Sequence, residues 1–102
     1  MAKKSVVWTA TAIKQRREIL KYWTLRNKST TYAEKLLILI KDRIHLIATN
    51  PSAGKPTSHA ETREAAMGNF SIYYKTVKQQ IIITSFWDNR QEPEKIVKLL
   101  KK

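Results

Sequence analysis

The sequence predicts an α+β fold: a short N-terminal strand, an αα-hairpin, a three-stranded antiparallel meander and a short C-terminal helix. Three observations predict it. Apolar residues of the first half recur at helical spacing, those of residues 63–87 turn to period two, and a polar stretch with two prolines and a glycine separates the halves at 51–62. A chain of 102 residues has room for one core, so 1–102 is expected to be a single domain.

Val6, Val7 and Trp8 make residues 5–8 a β-prone run. Thr9 follows as an N-cap, its hydroxyl able to accept from a free N–H of the next turn. Over 10–26 the apolar positions Ile13, Ile19, Leu20, Tyr22 and Trp23 mark one face of a helix, while Lys14, Arg17, Lys21 and Lys28 mark the opposite, cationic face. After a polar break at 27–31, Thr31-Tyr32-Ala33-Glu34 reads as a capping box, in which Thr and Glu satisfy each other's exposed N–H groups. The second helix runs to about Ala48 with Ala33, Leu36, Leu37, Ile40, Ile44 and Ile47 as its buried stripe. Asn50-Pro51 ends it, because a residue before proline is pushed out of the α region. Residues 51–62 are expected to hold no regular element.

Residues 63–67 lead to the turn dipeptide Gly68-Asn69. Beyond it Phe70, Ile72, Tyr74 and Thr76 alternate with Ser71, Tyr73, Lys75 and Val77. Lys78-Gln79 is a second turn, and Ile81-Ile82-Ile83 within 80–87 suggests a central strand buried on both faces. Residues 88–91 close the sheet. Pro93 then suits a first helical position, and Ile96, Val97, Leu99 and Leu100 extend an amphipathic helix to the basic end.

Charge is the most informative part of the composition. A formal +12 gives a field that steers the molecule toward polyanions or an acidic protein. With no cysteine there is neither a disulfide framework nor a thiolate metal site, which fits a reducing compartment. No apolar run approaches the ~18 residues of a membrane span, and Met1-Ala2-Lys3-Lys4 lacks a following apolar secretory segment, so a cytoplasmic location is expected. His45, between Ile44 and Leu46, reads as a helix-surface or boundary residue. His59 and Glu61 fall short of metal-ligand spacing. Neither a phosphate-binding glycine loop, nor HExxH, nor Gly-x-Ser-x-Gly occurs, so no cofactor, metal or small-molecule substrate is expected.

An ordered set of residues carries a family likeness. Trp8-Thr9 opens the first helix, and Ile19 through Trp23 bears an aromatic pair. Ser29 and Ala33 begin the second helix, and Asn50-Pro51-x-x-Gly54 follows it. Arg63 opens a strand, and Gly68-Asn69-Phe70-x-Ile72-Tyr73-Tyr74, the isoleucine strand and Trp87-Asp88-Asn89-Arg90-Gln91-x-Pro93 complete the set. Together they resemble the RelE/ParE toxin superfamily, in particular its ParE-like branch of plasmid-stabilisation type, over nearly the whole chain. The resemblance implies the toxin component of a bacterial type II toxin–antitoxin system. The RelE branch of that family cuts ribosome-bound mRNA and the ParE branch poisons DNA gyrase. Both are held inactive by an antitoxin whose C-terminal segment wraps the toxin. The implied partners are therefore an acidic antitoxin and either DNA gyrase or the ribosome with its mRNA, with no membrane.

Metal-free RNA cleavage requires cations against the charge developing on phosphorus, plus groups that take and give a proton. By resemblance Arg63 and Arg90 supply such cations, with Lys75 a third. Two positions depart from the RNA-cutting pattern: the arginine after the third-strand aromatic is Ser71, and neither tyrosine nor histidine follows Arg90. Tyr73 and Tyr74 remain as phenols, but a strand tyrosine reads first as packing. Enzymatic activity is thus left open, and the reading leans to binding. Arg63, Trp87, Asn89 and Arg90 are expected to meet the target, and Tyr22, Trp23, Lys14 and Arg17 the antitoxin. Which of the aromatics Tyr22, Trp23, Phe86 and Trp87 is exposed depends on helix rotation. The plain alternative for Arg90 is an ion pair with Glu92 or Glu94. Charge alone leaves a further alternative, a non-toxic nucleic-acid-binding module.

Overall fold

The structure is a computed structural model that describes residues 3–90. In chain order it has β1 (Ser5–Trp8), α1 (Ala10–Asn27), α2 (Thr31–Thr49), β2 (Lys55–Pro56), β3 (Thr62–Met67), β4 (Phe70–Val77) and β5 (Gln80–Asp88). The strands form one sheet in the order β1-β5-β4-β3-β2. The expected meander is its β3-β4-β5 portion, joined by the two-residue turns Gly68-Asn69 and Lys78-Gln79. β1 lies parallel to the far edge of β5, with Val6 beside Ile81 and Trp8 beside Ile83. That makes β5 an interior strand, as the isoleucine run suggests, and Ile81 and Ile83 are fully buried. The predicted C-terminal helix and Glu92 and Glu94 lie outside the described residues.

Both helices cover one face of the sheet. Leu36, Ile40 and Ile47 of α2 meet Phe70, Ile72 and Tyr74 of β4 and Ile81, Ile83 and Phe86 of β5 in one cluster. Each fully buried Leu, Ile or Phe stabilises the fold by roughly 1.5–3 kcal/mol, so this cluster holds the helical layer in place. The α2 stripe is narrower than expected. Leu37 is 45% exposed, because the buried line Ala33, Leu36, Ile40, Ile47 leaves it on the flank.

Local corrections have local causes. Thr9 does cap α1, accepting from the Ala12 N–H at 3.1 Å. The capping box of α2 does not form. Its N-cap is Thr30, whose hydroxyl donates to the Glu34 carboxylate at 3.3 Å but accepts from no helix N–H, while Ser29 accepts from the Thr31 N–H at 3.2 Å. The stretch 51–62, expected to be irregular, contains a 3₁₀ turn at Pro51–Ala53 and the two-residue strand β2, which pairs with Arg63 and Glu64. Pro56 is tolerated there because β2 is the sheet edge. A bulge in β5 follows Ile83: Tyr74 pairs with Ile83 but Tyr73 with Ser85. There the Gln15 side-chain carbonyl accepts from the Ser85 hydroxyl at 3.0 Å and the Phe86 N–H at 2.9 Å, tying α1 to the bent strand.

Candidate functional site

Strand alternation sorts the candidate residues between two faces. On the helix-covered face Arg63 pairs with Tyr74. Its guanidinium donates to the Gly54 carbonyl at 2.7 Å. The Tyr74 hydroxyl donates to the Pro51 carbonyl at 2.7 Å and accepts from the Gly54 N–H at 2.9 Å. Gly54 must stay small, since a Cβ would lie 2.6 Å from that hydroxyl and 2.9 Å from the Glu64 carbonyl. Arg63 therefore fastens the loop after α2 to the sheet.

The other face holds Glu64, Ser71, Tyr73, Lys75 and Trp87, placed there by the pairs Glu64–Tyr73 and Ser71–Trp87. The buried Ser71 hydroxyl donates to Glu64 Oε2 at 2.5 Å and accepts from the Asn89 amide at 2.9 Å. Burial raises the Tyr73 pKa, the Glu64 charge adds to the rise, and the Ser71 bond only partly offsets it. The phenol stays protonated at neutral pH. Among the described residues nothing accepts from the buried Trp87 Nε1.

Asn89 and Arg90 follow the end of β5. There Arg90 turns back on Asp88. Its Nε donates to Oδ1 at 2.8 Å, its Nη2 to Oδ2 at 3.0 Å, and its backbone N–H to Oδ1 at 3.0 Å. Trp23 Nε1 donates to Oδ2 at 3.2 Å. The guanidinium stands 4.2 Å from the Trp23 ring centroid and 5.2 Å from that of Phe70. Burial works against the Asp88 charge, yet the Arg90 and Trp23 bonds outweigh it and hold the carboxyl below its ordinary value. The same bond to Asp88 raises the Arg90 pKa.

The structure thus brings some sequence-predicted residues together and separates others. Trp87 and Asn89 meet around Ser71, and Arg90 joins Trp23 and, through it, Tyr22, whose ring lies 5.2 Å from Trp23. Arg63, Lys75 and Arg90 do not converge. Arg63 and Lys75 face opposite sides of the sheet. Arg63 sits beside Tyr74, whereas Arg90 sits at Phe70, four residues or roughly 13 Å away along β4. The open question of aromatic exposure resolves by position: Tyr22 is 47% exposed, Phe86 is buried, and Trp23 and Trp87 are half-buried. Lys14 and Arg17 are exposed on α1.

Sequence reasoning missed Glu64 and Asp88. Counting back from the Gly68-Asn69 turn puts 64 opposite 73 and 66 opposite 71, which was signal enough for Glu64. Asp88 had the i, i+2 spacing to Arg90. Among the described residues no group of His, Cys, Asp and Glu is placed to hold a metal ion, and no helix is long and apolar enough to cross a membrane.

Comparisons with known proteins agree with this architecture. Residues 6–93 match the family described as ParE toxin of type II toxin-antitoxin system, parDE. Among solved structures, a chain of the chromosomal ParDE toxin–antitoxin system from P. aeruginosa superposes with a TM-score of 0.71 at 19% identity. The match covers 82% of this chain and 94% of that one. A chain of the RelBE2 toxin–antitoxin complex from Mycobacterium tuberculosis gives 0.62 at 16% identity, over 83% and 96%. A search of curated proteins returns no match.

Proposed function

Because this chain belongs to the ParE toxin family of type II toxin–antitoxin systems, we propose that it acts by binding a macromolecular target, DNA gyrase, rather than by cutting RNA. One observation carries the choice: the cations that RNA cleavage would need are apart. Arg90 is neutralised by Asp88, Arg63 is tied to a backbone carbonyl on the helix-covered face, and Lys75 stands on the opposite face beside the Glu64 pairing. A carboxylate bonded to Ser71 is a poor setting for a phosphate in transition, since preorganised positive groups supply most of such catalysis. A surface with an exposed planar guanidinium, an amide and a large aromatic suits protein recognition, where Trp, Tyr and Arg dominate. Arg90, Asn89 and Trp87 are the target-facing residues of this reading, with Arg63 behind them.

A cognate acidic antitoxin would neutralise the toxin by covering α1. Tyr22 and the outer edge of Trp23 offer it apolar anchors, and Lys14 and Arg17 offer charge. Induction of the chain alone in a bacterial host, with growth, DNA-damage response and mRNA 5′ ends scored together, tests the reading. Growth arrest with a damage response and intact mRNA is expected, as is inhibition of supercoiling by purified gyrase. Codon-specific mRNA ends would overturn it in favour of ribosome-dependent cleavage.

A further inference from the structure

The two helices of the hairpin carry unequal charge. Between Ala10 and Asn27, α1 has Lys14, Arg16, Arg17, Lys21 and Arg26 against the single acid Glu18. Between Thr31 and Thr49, α2 has Lys35, Lys41 and Arg43 against Glu34 and Asp42. Two of the α1 cations are already engaged with rings: Arg16 lies 4.4 Å from the Trp8 centroid, and Arg26 5.5 Å from that of Trp23. The others form a line. Lys14, Lys21 and Lys28 recur every seventh residue with Arg17 between them, and all four are exposed. Seven residues of helix span about 10.5 Å, so the line runs along most of α1. Among the described residues the one ion pair is Arg90–Asp88, and none of the four cations has an acidic partner.

We infer that this line binds the phosphodiester backbone of nucleic acid, independently of whatever the Arg90–Trp87 end of the sheet recognises. Charge complementarity and the shape of the line argue for it over an acidic protein. Protein partners take their energy from apolar anchors set within the charge. Of the exposed apolar residues of α1, Tyr22 stands off the line and Leu25 is a single residue at its edge: at 100° per residue Lys14, Arg17 and Lys21 fall within one 60° sector, with Leu25 about 20° beyond it and Tyr22 about 80°. Backbone phosphates need only cations in a row, each contact releasing condensed counterions. The surface is therefore sequence-indifferent, and it operates when an antitoxin does not cover α1.

The test measures binding of the full chain to a fluorescent 20-base-pair DNA duplex, and to the RNA duplex of the same sequence, across a salt series. The variant Lys14→Gln/Arg17→Gln/Lys21→Gln is compared with Lys35→Gln/Lys41→Gln/Arg43→Gln, which removes the same charge from α2. Thermal melts of both variants confirm that each is folded. At about 0.9 per contact, the α1 variant should reduce the slope of log K against log salt by about 3. The α2 variant should reduce it by less than 1. A slope change on DNA, RNA or both supports the inference and identifies the duplex concerned. Equal changes in the two variants would show that net charge alone binds, and would overturn it. So would tighter binding to polyglutamate than to either duplex, which would assign the line to an acidic protein. Neither result depends on gyrase, so a failed toxin reading leaves this one standing or falling by itself.

Discussion

Two arginines stand apart along β4, Arg63 beside Tyr74 and Arg90 against Phe70 at its start, and they are held in different ways. Arg63 gives its hydrogen bond to a neutral backbone carbonyl, so its charge is undiminished while its position is fixed. Arg90 is gripped by the carboxylate of Asp88, so its charge is cancelled while its flat face is displayed, stacked against Trp23. Sequence alone made these residues equivalent: two cations at strand ends, alike in chemistry. Their neighbours make one a loop fastener with charge to spare and the other a planar contact surface with little net field. A cation's usefulness to a phosphate depends on what already neutralises it, and by that measure the Arg90 end is spent.

The largest effect should come from Asp88→Ala. Arg90 loses its counter-charge and Trp23 its acceptor, and breaking a buried pair costs 3–5 kcal/mol. With the Arg90 side chain 40% exposed, screening reduces the expected loss to about 2–3 kcal/mol in urea unfolding. A loss within error would show that the clamp does not hold α1 on the sheet. Acid separates the ends further. Because the folded Asp88 carboxyl titrates low, its stabilisation is complete above the unfolded value of about 3.9 and disappears as pH falls through the folded value. The wild-type and Asp88→Ala curves of stability against pH should converge in strong acid.

At the other end, Tyr74→Phe should cost about 2 kcal/mol, since the Pro51 carbonyl and the Gly54 N–H both lose a partner. That gap should persist in acid, because both partners of the hydroxyl are backbone groups. Arg63→Gln should cost about 1 kcal/mol in the same urea unfolding, a smaller loss than Asp88→Ala; the reverse order would erase the distinction drawn between the ends. The smallest effect belongs to neither end. Lys78 holds φ 55 in the β4–β5 turn, and Lys78→Gly should raise stability by about 0.5–1 kcal/mol.

The two helices, β1 and the β3-β4-β5 meander were legible because each rests on a local pattern; β2 was not. The Gly68-Asn69 turn set the β3–β4 register, the isoleucine run marked an interior strand, and Thr9 announced α1. What was hidden depends on distant parts of the chain. Nothing near Arg63 in sequence shows that Gly54 will lie under the Tyr74 hydroxyl, and nothing near Gln15 shows that it will meet the bulge at Ser85. The capping box did not form at Thr31 because the helix starts one residue earlier in its cap, at Thr30, and Ser29 takes the Thr31 N–H. Of the site, residue types were legible and their grouping was not. Arg63, Lys75 and Arg90 share a chemistry in sequence, and strand alternation together with Asp88 divides them.

The parallel seat of β1 on β5 has a consequence for how the molecule is made. The first strand finds its sheet neighbour about 75 residues later, at Gln80–Ile83, and loop closure over such a separation comes late in folding. During synthesis α1 and α2 can form their hairpin, but Val6 and Trp8 have no strand to lie against until the last one has emerged. Trp23, too, has no acceptor before Asp88 arrives. A nascent chain therefore lacks both of these contacts, the β1 pairing and the Trp23 bond, until β5 has been made.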